Sequence, residues 1–170
     1  MYLKQKDIFW GMSKDFVKEV MKISINESHE KNDVLFQEGD SANQFYILFK
    51  GRVKLSLREI SHVVYVVSNA GEAFGWSSLI NRDAYSASAE CMSPTKLLKF
   101  EKEKLQGVLE KEAINGLLFY KRLAELLGNR LLNSYTMISS ASFDESSRSI
   151  GTGQIMTTTA KELKLLIFFK

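Results

Sequence analysis

The segment VLFQEGDSANQFYILFKGRVKL, residues 34–55, decides the fold. It sets a short apolar run, Val34-Leu35-Phe36, before a polar turn at Glu38-Gly39-Asp40. An aromatic run, Phe45-Tyr46-Ile47-Leu48, follows, and after Gly51 comes a run in which Val53 and Leu55 alternate with Arg52 and Lys54. Short runs rich in aromatic and branched residues, bounded by Gly, Asn and Asp, read as strands, and strict alternation gives a strand one inward face. The same texture continues to Phe100, broken at Asn69 to Gly71 and Asn81 to Asp83. Strands this short at this spacing predict a small antiparallel β-roll or jelly roll over 34–100, two sheets closed around one core. Gly39 and Gly51 are expected to be turn residues in which positive φ excludes a side chain.

Helices are predicted on either side. Over residues 7–25, Phe9, Met12, Phe16, Val20 and Ile23 recur at spacings of three and four, with Lys14, Lys18 and Lys22 on another face, which is an amphipathic helix capped by Ser13 or Asp7. Residues 101–111 carry Leu105, Val108 and Leu109 at helical spacing, and a longer helical run fills 112–138. In it Leu117, Tyr120, Ala124, Leu127, Leu131, Ser134 and Ile138 repeat at alternating steps of three and four, the spacing of a coiled-coil seam, so a homodimer through Leu117, Ala124, Leu127, Leu131 and Ile138 is expected. Leu118, Leu123, Leu126 and Leu132 form a second apolar face suited to the roll. The fold class is therefore α+β, mainly β: a roll flanked by an N-terminal helix and by a short and a long C-terminal helix. After Ile138 a stretch with six serines in eleven residues leads to a Ser/Thr-rich tail, 139–170, ending in the apolar AKELKLLIFFK, which must dock on its own domain, a dimer mate or a membrane surface.

Composition narrows the function classes. The chain has 170 residues and a net charge of +3 dispersed among alternating signs, without the dense basic stripe of a nucleic-acid binder. Its one cysteine, Cys91, cannot close an intramolecular disulfide, and no run approaches a membrane span, so a cytoplasmic location is expected. A jelly-roll metalloenzyme would need several His converging on a metal. Only His29 and His62 are present, apart in sequence and read as exposed polar residues, and Cys91 has no neighbouring His to activate it. No enzyme, metal or tightly bound cofactor is expected.

Two motifs in order carry a resemblance. The segment 34–55 resembles the opening of cyclic-nucleotide-binding domains, and GEAFGWSSLINRDAYSASAEC, residues 71–91, resembles their phosphate-binding cassette. With the flanking helices the likeness extends to about residue 138, which implies that 1–138 is a sensor domain of the catabolite activator class. The resemblance implies a ligand site at Phe74, Gly75, Trp76, Ser77, Ser78, Leu79, Arg82, Tyr85 and Ser86, with Arg130 near the level at which the long helix contacts a base. Its ligand would be a cyclic nucleotide or another anionic small molecule, met in part by backbone amides where a short helix begins after Gly75.

The cassette departs from the family pattern at two places. Where the family carries a Glu that accepts from the ribose hydroxyl, this chain has Trp76. Where it carries an Arg that pairs with the cyclic phosphate, this chain has Tyr85, followed by Ser86. Hydrogen bonds to charged groups contribute roughly 1.5–3 kcal/mol each, so losing two weakens binding by about 10²- to 10⁴-fold. Standard cyclic AMP binding is therefore not expected. Arg82 turning inward, or the Tyr85 hydroxyl donating to a phosphate oxygen, would compensate, and Trp76 is expected to fill the ribose site rather than stack on a ligand. The fragment GQIMTTTAKEL, with Thr159 and Glu162-Leu163, resembles the entry to the family's winged helix-turn-helix without its recognition helix, so DNA binding by this chain alone is not expected. The alternatives are a dimerisation module without a small ligand and a truncated transcription regulator.

Overall fold

Ser13 sets the start of the first helix. In the computed structural model its backbone is extended (φ −63°, ψ 146°) and its Oγ accepts the Phe16 N–H at 3.2 Å, so α1 spans Lys14–Lys22. The model describes the backbone of residues 7–57, 62–142, 148–150 and 154–156, and the side chains of 7–57 and 64–136. Asp7, the other candidate cap, heads a separate tight turn in which the Trp10 N–H donates to its carbonyl at 2.9 Å. The amphipathic run over 7–25 is thus a turn followed by a nine-residue helix, with Phe16 and Val20 buried on its inner face.

The helix gives way to a strand that the sequence reading passed over. β1, Ile25–His29, pairs only with β8, Thr95–Glu101, and as an edge strand it shows no clean apolar alternation in INESH. The remaining strands of the roll are β2 (Val34–Phe36), β3 (Gln44–Lys50), β4 (Val53–Leu57), β5 (His62–Val67), β6 (Ala73–Phe74) and β7 (Ser88–Cys91). They form two antiparallel four-stranded sheets in the orders β1-β8-β3-β6 and β2-β7-β4-β5. Between the sheets lie Phe36, Tyr46, Leu48, Phe74, Tyr85 and Leu97, in one buried cluster. In β3 the residues between these, Phe45 and Ile47, are buried too, on the opposite face, where Phe45 meets Phe100 and Phe119 and Phe9 meets the same two rings. Covering both faces is what makes the central strand a continuous apolar run.

Two helices follow the roll. α2 spans Lys102–Lys111 and buries Leu105 and Leu109, and α3 spans Ala113–Ser142, four residues past the boundary expected at 138. Residues 1–123 form one compact unit and 124–170 a second. The second unit holds the rest of α3 and, in the serine-rich stretch, an antiparallel hairpin of β9 (Arg148–Ile150) and β10 (Gln154–Met156). The apolar terminal segment lies outside the described residues. No described helix is long and apolar enough to cross a membrane.

His29 differs from expectation. Its ring is half-buried between two carboxylates, with Nε2 3.1 Å from Glu27 Oε2 and Nδ1 3.7 Å from Asp33 Oδ2, while Lys99 closes on the other Glu27 oxygen. Desolvation raises the Glu27 carboxyl, but hydrogen bonds from Lys99 and His29 outweigh it and hold the group below its ordinary value. The sequence separation hid this cluster, because β1 and β8 bring residues 27 and 99 together only through sheet register.

Candidate functional site

Gly75 opens the cassette because nothing larger fits there. Its backbone is left-handed (φ +74°), and a Cβ would stand 3.0 Å from both the Gln44 carbonyl oxygen and the Tyr46 ring. After it the chain makes the short helix expected, a single 3₁₀ turn over Trp76–Leu79. Ser78 ties the turn shut: its Oγ donates to the Gly75 carbonyl at 2.8 Å and its N–H to the same oxygen at 3.2 Å. Ser77, Ser78 and Leu79 are consequently buried.

The far end of the cassette is held by backbone. The Tyr85 N–H donates to the Asp40 carbonyl at 2.9 Å, and the Gly39 N–H donates to the Tyr85 carbonyl at 3.0 Å. Asp40 in turn accepts the Gln37 N–H at 2.8 Å, and Ser88 Oγ accepts the Glu38 N–H at 2.9 Å. The Glu38-Gly39-Asp40 motif, with Gly39 at φ +91°, is therefore the turn against which the cassette returns to the sheet.

Tyr85 is where the side chains depart from expectation. Its hydroxyl accepts the Gln44 N–H at 3.0 Å and donates to the Gln44 carbonyl at 2.8 Å, so it is engaged with the first residue of β3. Its ring stacks on Phe36 with centroids 3.8 Å apart, Phe36 stacks on Tyr46 at 5.7 Å, and Tyr46 stacks on Phe74 at 5.1 Å. Four aromatic rings thus fill the roll between the cassette and the sheets, and Tyr85 is 4% exposed. Burial pushes its phenol up to about 12, and burial together with the neighbouring Tyr85 phenol and Glu27 carboxylate raises Tyr46 further.

The other expected site residues divide. Phe74, Gly75, Ser77, Ser78, Leu79 and Tyr85 are brought together and buried. Trp76 is half-buried and stacks on none of the described rings, so the residue that fills the interior is Tyr85 and not Trp76. Arg82 stands exposed on the loop, its N–H directed to the Ser77 carbonyl at 3.4 Å, and does not supply the missing countercharge from inside. Ser86 is half-buried beside Tyr85, and Arg130 is half-buried on α3 in the second unit. Gln44 and Phe36 are the residues the sequence reading missed. Their only signal was membership of the strands on either side of the Glu38-Gly39-Asp40 turn. Among the described residues no group of three or more His, Cys, Asp or Glu is placed to hold a metal ion.

The family model described as cyclic nucleotide-binding domain matches residues 26–112, from β1 to the end of α2. The chain belongs to the cyclic nucleotide-binding domain family. Among curated proteins it is similar to cAMP/cGMP-dependent 3′,5′-cAMP/cGMP phosphodiesterase B of Dictyostelium discoideum, 27% identical over 121 residues that cover 64% of this chain but only 11% of that protein. Among solved structures it is similar to a cyclic nucleotide-binding domain from Methylobacillus flagellatus KT (TM-score 0.70, 23% identity, 78% of this chain and 76% of that one). It is also similar to the Catabolite Activator Protein of Thermus thermophilus (TM-score 0.64, 23% identity, 81% of this chain and 63% of that one). The likenesses to solved structures show the fold. Within the cyclic nucleotide-binding domain, the aromatic stack occupies the interior face of the cassette, and Tyr85 stands where the resemblance places the phosphate-binding Arg.

Proposed function

We propose that this domain is a non-catalytic regulatory module whose cassette is closed on itself by Tyr85, and that it does not hold cyclic AMP or cyclic GMP in the family's usual side-chain mode. The observation that carries the reading is the pair of hydrogen bonds between the Tyr85 hydroxyl and Gln44, one accepted from its N–H and one donated to its carbonyl. An Arg there would extend a charge toward a phosphate, whereas the phenol spends its donor and an acceptor on the protein. A ligand entering the same space must displace a ring that stacks on Phe36 and leave the Gln44 N–H and C=O without partners, and each buried polar group so stranded costs about 1–3 kcal/mol. That penalty adds to the loss of the two charged contacts expected from Trp76 and Tyr85.

The output surface in this reading is α3. Phe119 and Leu123 are buried against the roll, while Ile114 and Leu117 on the opposite side are 86% and 72% exposed. The stripe continues through exposed Ala124, half-buried Leu127 and Leu131, which is 44% exposed; the side chain of Ile138 lies outside the described residues. Apolar residues left in water at heptad spacing favour a second copy of the same helix.

A thermal-shift screen tests the ligand side of the proposal, since a compound that binds only the native state raises the melting temperature by mass action. Cyclic AMP, cyclic GMP and a panel of other anionic metabolites are expected to leave the midpoint unchanged for the two cyclic nucleotides. A saturable rise with either overturns the closed-cassette reading, and a rise with a different anion identifies the ligand of a sensor.

A further inference from the structure

We infer that the end of the roll opposite the cassette is a docking surface for an anionic lipid membrane. The turns joining β1 to β2, β3 to β4 and β7 to β8 meet there, beside the one joining β5 to β6. The Asn32 N–H donates to the Cys91 carbonyl at 2.7 Å and the Met92 N–H to the Arg52 carbonyl at 2.8 Å, which ties the first three together. Gly51, at φ +106°, lets them close up: a Cβ there would lie 2.7 Å from the Pro94 carbonyl oxygen. The cassette is at the other end of the same strands, where Gln44 meets Tyr85 and Ser56 is paired with Ser88.

Lys31, Lys50, Arg52 and Lys96 project from these turns, all exposed, and none forms an ion pair among the described residues. Lys50 and Lys96 are register partners across β3 and β8, a placement of like charges that costs stability unless an anion is brought to it. The acids at this end are Glu30, Asp33, Glu72 and the buried Asp7 beside Gly71; the Asp33 carboxylate is turned to its own loop, accepting the Glu30 N–H at 2.8 Å and facing His29, and the Glu72 carboxylate accepts the Ser68 and Asn69 N–H groups and the Tyr65 hydroxyl. Beside Lys50 in the chain stands Phe49. The register shift between Leu48 and Lys50 marks a bulge at this residue, and the ring is 59% exposed. A bulge re-aims a side chain out of the pleat, and here it aims an aromatic ring outward beside Lys50. An extended acidic peptide would need a sheet edge or a groove. Turn tips that carry four cations and one protruding ring match a planar anionic surface, which attracts each nearby Lys or Arg and accepts an apolar side chain at its boundary.

Co-sedimentation of the full chain with vesicles tests this, and its outcome is independent of what the cassette binds. Binding is expected to phosphatidylcholine vesicles containing about 30% phosphatidylserine and not to phosphatidylcholine alone, with strong weakening between about 0.1 and 0.5 M salt. Each cation removed is expected to weaken partition by about five-fold, so Lys50→Glu with Lys96→Glu abolishes it. Phe49→Ala weakens it by about tenfold. Both sets of changes are at exposed positions, and an unchanged melting curve shows that the fold is kept. No preference for the anionic vesicles, or binding that survives Lys50→Glu/Lys96→Glu because the apolar terminal segment supplies it, overturns the proposal. So does capture of soluble polyglutamate in the absence of vesicle binding.

Discussion

Tyr85 shows how one substitution at a site can change what the surrounding residues are for. In the proposed reading an Arg at this position would extend toward a ligand, whereas Tyr85 is bonded to the Gln44 peptide groups and stacked on Phe36. Tyr85→Phe keeps the ring and removes the hydroxyl, stranding the two Gln44 groups, and is expected to destabilise the domain by about 1–3 kcal/mol, read as a lowered urea midpoint at unchanged slope. An unchanged midpoint contradicts the latch. The same phenol makes stability depend on alkaline pH. Its value is raised from 10 to about 12 in the folded state, so its contribution is complete below pH 10 and is lost as pH rises through about 12. Unfolding measured at pH 8 and about pH 11 is therefore expected to show a larger alkaline loss in the wild type than in Tyr85→Phe, and equal losses contradict burial of the hydroxyl. The sequence made the departure at 76 and 85 legible, because a motif can be checked letter by letter. It did not disclose which of the two residues fills the interior. That depends on where a loop returns to the sheet, and the 3.8 Å stack with Phe36 has no trace in local spacing.

At the scale of elements, periodicity was a good guide where a helix or strand is long and one face is buried. β3 and β4 were legible for that reason, but the roll-facing side of α3 was read only in part: Leu123 is buried, whereas Leu132 is 61% exposed and the fully buried Phe119 belonged to neither expected stripe. Two other failures are equally physical. Residues 7–12 carry helical spacing but sit ahead of a cap whose extended backbone ends any continuous helix, and β1 is an edge strand whose partner is about seventy residues away. The faces of α3 make separable predictions. Phe119→Ala removes a buried ring that packs against Phe9 and Phe45, and is expected to cost about 3–5 kcal/mol, measured by denaturant unfolding of the whole chain. Leu117→Asp with Leu131→Asp alters only exposed positions and is expected to leave secondary structure intact while halving the mass in sedimentation equilibrium. A wild-type monomer, or an unchanged mass in the variant, removes the helix-pair proposal.

For the whole molecule, the ordered pair of motifs was enough to indicate the family, because the Glu-Gly-Asp turn and the cassette are parts of one device: the chain leaves the sheet at the first and returns to it at the second, joined by the Gly39–Tyr85 and Tyr85–Asp40 hydrogen bonds. In the proposed reading, ligand binding by that device would rest on two side chains whose places here are taken by Trp76 and Tyr85. Architecture and ligand chemistry are therefore separable here, with the roll retained and its interior filled by aromatic rings. The account's central claim is that the filled cassette does not take a cyclic nucleotide in the usual mode, and isothermal titration of cyclic AMP into the purified chain tests it most directly. The account predicts no saturable heat up to about 1 mM nucleotide, and a binding isotherm with a dissociation constant in the micromolar range contradicts it.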